Sequence, residues 1–275
     1  MLRIGRIAYA NCTPVFHGLA SRLAGEDYHF SEGVPSALNA KLAAGEIDIC
    51  PSSSIEYARN PGRYLIIPDL SISSEGPVGS VLLFSRQPIE MLDGQTILLS
   101  SESATSVNLL KILVNNRFRC RCSFSVTDLP LEEGLKVAPA MLLIGDAALR
   151  ECLKDRDGHL YDLGRLWNDW TGLPFVFALW FCARDVAERQ HDEVVRLARY
   201  LMASKVHNEE TYRQLARVAP EAAWMGEDKL VTYWMHNISY DLEQRHIDGL
   251  KLFFRYCAEL GLLENEPELH FLDLP

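Results

Sequence analysis

"GPVGSVLLFSR", residues 76–86, joins a turn made of two glycines and a proline to a short apolar run, with Ser80 standing where the turn becomes the run. Glycine and proline clusters mark turns, and a short apolar run bounded by them reads as a fully buried strand. The segment decides the fold because the chain alternates strand and helix before it and starts the same alternation again after it. It therefore reads as a passage from one α/β unit to a second.

Upstream, "LRIGRIAY" (2–9), "YHFSEG" (28–33) and "IDICPSS" (47–53) read as strands. "PVFHGLASRLA" (14–24) and "SALNAKLAAG" (36–45) read as the helices between them. This βαβαβ order calls for a parallel sheet. A short helix "SIEYARN" (54–60) and a strand "YLIIPDLSIS" (64–73) complete the first unit. Downstream come a strand in "GQTILLSSES" (94–103), a helix "TSVNLLKILVNNRF" (105–118), a strand "CSFSVTDL" (122–129) and a strand running into a helix, "APAMLLIGDAAL" (138–149). "FVFALWFCAR" (175–184) is a long buried strand that reads as the second crossing, paired with "VLLFSRQP" (81–88). From Asp185 onward the chain is a series of amphipathic helices, 185–208, 209–219, 227–237 and 243–263. Two crossings predict two lobes: residues 1–84 with 181–275, and residues 85–180. The cleft between such lobes is the expected ligand site.

Composition narrows the function. Of the 275 residues 48% are hydrophobic, enough for two cores, and the net charge of −10 argues against a nucleic-acid partner, which calls for a basic stripe. Arg117, Arg119 and Arg121 form one short cluster that reads as the solvated end of a helix. No apolar run approaches the ~20 residues of a membrane span, and the N-terminus lacks the apolar core of a secretory signal, so a cytoplasmic protein is expected. Seven scattered cysteines fit small buried hydrophobes in a reducing compartment. No spacing of Cys and His suggests a metal site.

Four polar clusters fall at strand ends, where α/β sheets place ligands. "AYANCTP" (8–14) carries Asn11, which can donate and accept, or can simply cap a helix. "CPSSSIEYA" (50–58) sets Ser52, Ser53 and Ser54 at a helix start, an anion site or a capping box with Glu56. "SSESATSVNLLKIL" (100–113) sets Ser103, Thr105 and Ser106 at another helix start. In "LLIGDAALR" (142–150) Asp146 ends a strand and reads as a cap or a base. Thr171 and Pro174 in the aromatic stretch 163–180 could shape a cleft wall, although core packing explains that stretch as well. The dispersed histidines, His17 and His29 among them, read as structural. Fingerprints of nucleotide binders, serine hydrolases and zincins are missing.

Taken in order, "IGRIAYANCTP" (4–14), residues 34–61, "DLSISSEGPVGSVLLFSR" (69–86), "SSESATSVNLLKIL", "IGDAAL" (144–149) and "WTGLPFVFALW" (170–180) resemble chorismate dehydratase of the futalosine route to menaquinone. The resemblance is close over residues 4 to about 182 and covers the helical tail only in general character. His17 departs from it, standing where the resemblance leads one to expect an aromatic residue. It implies the two-lobed fold of type II periplasmic binding proteins and a small-molecule substrate, chorismate. The implied reaction is loss of water to give 3-[(1-carboxyvinyl)oxy]benzoate, with no cofactor and no metal. Asn11, Ser80 and Asp146 are the implied catalytic candidates, and Ser52, Ser53, Ser54, Thr105, Ser106 and Thr171 the implied substrate-binding ones. The glycines of 76–86 are expected to let the backbone approach a ligand beside Ser80, and a homodimer is compatible with this reading. The base is open between Asp146 and a carboxylate of the substrate. Two rival readings are the sister family that makes 1,4-dihydroxy-6-naphthoate and a cytoplasmic binding or sensor module for a small carboxylate.

Overall fold

Strand β1 (Arg3–Ile7) starts an alternation that continues through α1 (Thr13–Arg22), β2 (His29–Gly33), α2 (Pro35–Ala43), β3 (Ile49–Ser53), α3 (Ser54–Arg59) and β4 (Tyr64–Ser74). A second alternation begins with β5 (Val81–Ser85), β6 (Thr96–Leu99), α4 (Ala104–Ile112), β7 (Ser123–Val126) and α5 (Leu131–Val137). It ends with β8 (Ala140–Ile144), α6 (Gly145–Cys152), β9 (His159–Asp162) and α7 (Leu163–Thr171). Then follow β10 (Phe175–Ala183), α8 (Arg184–Arg189), α9 (His191–Ala203), α10 (Glu209–Ala216), α11 (Ala222–Met225), α12 (Glu227–His236) and α13 (Gln244–Glu259). The computed structural model describes residues 1–23, 28–205 and 208–274. Ala24 of the first expected helix and residues 206–207 of the expected helix 185–208 lie outside them.

The strands form two five-stranded sheets, ordered β2-β1-β3-β10-β4 and β7-β6-β8-β5-β9. In the first, β1 runs parallel to β2 and β3, and β10 inserts antiparallel between β3 and β4. In the second, β6 runs parallel to β7 and β8, and β5 inserts antiparallel between β8 and β9. Each crossing thus delivers the chain into the middle of the sheet it enters. Both inserted strands are apolar on both faces, and β5 is buried along its whole length.

This corrects the expected lobe boundaries. Cuts at 84/85 and 180/181 fall inside two strands, whereas β5 pairs wholly within the second sheet and β10 wholly within the first. The crossings are the short links 75–80 and 172–174. Four elements lie outside the sequence reading: the short helices α5 and α11, β9, whose "HLYD" is too exposed for an apolar signal, and α7, whose polar residues interrupt an aromatic run. Asp162 starts α7 by accepting the Arg165 amide at 3.0 Å, and the same carboxylate accepts the Val78 and Gly79 amides at 3.0 and 2.6 Å. The loop before Ser80 is thereby tied to the far end of the second sheet. Gly79 has φ +72°, a left-handed conformation that favours glycine, and it faces Asn237 and Tyr233 rather than open cleft.

The helical tail returns to the first sheet and also reaches the second lobe. Helix α13 packs on β10, α3 and α4, while α11 lies against α6. Past α12, Ser239 bridges to Ser73 and the Tyr240 carbonyl accepts the Ser71 amide at 2.9 Å, covering the edge strand β4. All seven cysteines are free, and Cys12, Cys50, Cys120, Cys182 and Cys257 are buried. No helix among the described residues is long and apolar enough to cross a membrane.

Candidate active site

The strand ends of the two sheets face each other across a cavity of about 510 Å³, open mouth included. Its apolar walls are Ile7, Ile72, Val78, Val81, Ile144 and Phe177. Its polar groups are those of Tyr9, Asn11, Ser53, Ser80, Ser103 and Ser106. Among the described residues no lysine or arginine lines it. Positive potential comes instead from helix starts: Pro35 begins α2, Gly145 begins α6, Ser53 and Ser103 are the caps of α3 and α4, and Asn11 lies just ahead of α1. Helix N-termini present unpaired amides and the positive end of the dipole, which suits carboxylates.

Asn11 and Ser80, far apart in sequence, line the cavity together. The Asn11 backbone carbonyl accepts the Tyr240 hydroxyl at 2.7 Å, and its side-chain Oδ1 is buried without a partner among the described residues. Such an oxygen is an acceptor facing no donor. Ser80 is 1% exposed, and its Oγ accepts the Tyr233 hydroxyl at 2.9 Å. Its backbone carbonyl accepts the Gly145 amide at 2.7 Å, which links the crossing loop to the start of α6.

The serine clusters divide by role. Ser53 and Ser106 face the cavity, and Ser106 shares a hydrogen bond of 3.2 Å with the capping Ser103. Ser52 is turned to Asn39. Ser54 donates to the Val176 carbonyl at 2.9 Å and lies 3.3 Å from the Thr105 hydroxyl, which in turn accepts the Ile55 amide at 3.1 Å. Ser54 and Thr105 therefore join α3 to α4 behind the cavity wall. Thr171 is separate: its hydroxyl donates to the Trp167 carbonyl and closes α7, and it is absent from the lining. His17 is exposed on the outer face of α1, and Arg86 is exposed beyond the far end of β5.

Asp146 stands one residue beyond the lining Gly145, and its Oδ1 accepts the Ala10 amide at 3.0 Å. Burial raises its pKa, and the Ala10 amide partly offsets this. The bond joins the loop after β1 to α6, one sheet to the other. Tyr9 makes a second such link, donating to Glu102 at 2.9 Å. Its phenol is held far above its ordinary pKa, first by burial and then by Glu102, and so remains a donor. The Tyr9 ring lies where a Cβ on Gly145 would sit, 2.9–3.0 Å away, so only glycine allows this contact.

Tyr9, Phe177 and Tyr233 were not singled out from the sequence. Tyr9 lies inside "AYANCTP" and could have been read with Asn11 as a strand-end residue. Tyr233 is brought to Ser80 across 153 positions of chain, which no local pattern reveals. Among the described residues, no three His, Cys, Asp or Glu converge as they would around a metal ion.

Comparison with known proteins agrees with this architecture. Residues 2–259 match the model of a family described as menaquinone biosynthesis. A chorismate dehydratase of Thermus thermophilus is 31% identical, the match covering 94% of this chain and 95% of that protein. One from Campylobacter jejuni is 32% identical over 94% of this chain and 98% of its own length. The fold is that of periplasmic binding proteins. The aliphatic sulphonate binding protein of Escherichia coli superposes with a TM-score of 0.65 at 14% identity, covering 99% of this chain and 93% of its own. The ligand-binding component of an ABC-type import system from Staphylococcus aureus gives 0.68 at 14%, covering 99% and 96%. With residues 2–259 matching the family model and two chorismate dehydratases 31 and 32% identical over 94% of the chain, this protein belongs to the menaquinone-biosynthesis family of the chorismate dehydratases.

Proposed function

We propose that the protein is a hydro-lyase that removes water from chorismate to give 3-[(1-carboxyvinyl)oxy]benzoate. The observation that carries this is Asn11, which lines a cavity ringed by helix starts and whose buried Oδ1 has no partner among the described residues. Chorismate brings two carboxylates for the helix starts and one hydroxyl, its only O–H donor at neutral pH, for Asn11. The apolar walls suit its ring. Free, mostly buried cysteines suit a reducing compartment and support a cytoplasmic enzyme.

The elimination breaks the C–H bond at the ether-bearing ring carbon and the C–O bond of the neighbouring hydroxyl. The electron pair of the first becomes the last double bond of the aromatic ring, and the proton and hydroxide leave as water. Among the described residues the cavity lining contains no carboxylate, histidine, lysine or cysteine, and the one titratable side chain there, Tyr9, already donates to Glu102. This favours a carboxylate of the substrate as the base, with the protein orienting the reacting groups and excluding water. Asp146 then serves to hold the Ala10 loop. Replacing Asn11 or Ser80 by Ala is expected to lower kcat/KM for chorismate by at least about tenfold, or ~1.4 kcal/mol. Wild-type kinetics in both variants would contradict the reading.

A further inference from the structure

The C-terminal helices contribute to the cavity through hydrogen bonds rather than through its lining. From α12 and its exit, Tyr233 donates to Ser80 Oγ at 2.9 Å, Trp234 Nε1 to the Ala10 carbonyl at 2.7 Å, Asn237 to the Pro77 carbonyl at 2.8 Å, and Tyr240 to the Asn11 carbonyl at 2.7 Å. Three of these hold backbone and so fix loops. The Tyr233 bond alone ends on a side chain that faces the cavity.

A serine hydroxyl has one hydrogen and two acceptor lone pairs. With Tyr233 donating into one lone pair, the Ser80 hydrogen cannot point at Tyr233. Among the described residues no protein acceptor is bonded to it. Tyr233 is 2% exposed, and burial, the chief cause, raises its pKa far above the ordinary value, so the phenol keeps its proton. The remaining direction for the Ser80 hydrogen is the cavity, where a substrate oxygen is the available acceptor.

We propose that Tyr233 is a positioning residue that fixes Ser80 as a hydrogen-bond donor toward a substrate oxygen. This rests on the reading that Ser80 touches chorismate, and it adds a role for the helical tail in setting the site's polarity. Asn11 then accepts from the substrate while Ser80 donates to it, so the two are not interchangeable.

A double-mutant cycle on the full chain tests the proposal, using Tyr233→Phe, Ser80→Ala and both together, with rates taken per folded molecule from urea unfolding. Y233F is expected to lower kcat about five- to tenfold with KM changed less than about twofold. In the S80A background it is expected to have no further effect. Losses that multiply, or a Y233F enzyme with wild-type kcat, overturn the proposal. If S80A itself keeps wild-type kinetics, the placement of Ser80 at the substrate fails instead, which is a separate result. Trp234→Phe, which loses the bond to the Ala10 carbonyl and alters packing without touching Ser80, is the control for a loop-fixing role alone, and its loss is expected to multiply with that of S80A. Should Y233F not fold, 3-fluorotyrosine at position 233 gives a stronger donor in nearly the same shape. The proposal then expects kcat to shift at unchanged KM, and an unchanged kcat overturns it.

Discussion

Asn11 and Asp146 are both polar residues at strand ends, yet their surroundings separate them. Asn11 lines the cavity and its Oδ1 has no partner among the described residues, whereas Asp146 is committed to the Ala10 amide. Loss of a general base costs ~10²–10⁴-fold in rate. If Asp146 instead holds a loop, Asp146→Asn, which keeps the accepting oxygen, is expected to retain kcat within about threefold; steady-state kinetics decide between these. The same variant has a stability signature. The folded-state pKa of Asp146 is raised by burial, so its ionisation disfavours the folded state as pH rises above the ordinary value of about 3.9. D146N is neutral at every pH and is expected to be at least as resistant to urea as wild type at pH 7, with the difference narrowing below about pH 4. At this scale the sequence was legible where polar residues cluster at strand ends, as with Asn11, Ser53 and Ser106. It was not legible for Tyr233 and Glu102, whose roles depend on contacts 153 and 93 positions away.

Among the elements, β1, β3 and β10 carry the first sheet, and one residue, through its side chain and its backbone, ties them together. The Asp48 carboxylate, just before β3, accepts the Arg3 amide at 2.7 Å and the Arg3 guanidinium at 3.0 and 2.5 Å. The Asp48 carbonyl also accepts the Ala183 amide at 3.0 Å. Asp48→Ala is expected to cost about 1–3 kcal/mol in urea unfolding, the range for a buried hydrogen-bonding group left without its partner. Arg3 stays partly in water, which keeps the loss below that of a fully buried pair. Strands with continuous apolar runs, β5, β8 and β10, were legible because burial on both faces leaves no alternation to misread. Short β9 was missed because two of its residues are exposed, and α7 because Trp167 and Trp170 read as core while its cap, Asp162, also serves the loop at 78–79. Strand direction was the remaining gap. Nothing in "VLLF" states that it enters its sheet antiparallel, since that follows from where the crossing delivers it.

The whole molecule is two sheets joined by two short links, with a helical tail in contact with both. Two hydrogen bonds span the cleft beside the cavity, Tyr9 to Glu102 and Ala10 to Asp146. A third junction, from Ser54 and Ile55 to Thr105, joins the lobes behind it. In such an arrangement Glu102→Ala removes one front bond without touching the lining. It is expected to raise KM for chorismate about three- to tenfold with kcat changed less, the pattern of lost uniform binding. An unchanged KM would separate the Tyr9–Glu102 bond from substrate capture. The central claim is that this cleft turns chorismate over rather than merely holding it. Its most direct test is to incubate the purified protein with a large excess of chorismate and identify what remains by ultraviolet absorption, mass and NMR. The predicted result is catalytic conversion to an aromatic product one water lighter that keeps its enol ether, and recovery of chorismate unchanged, even if bound, would contradict it.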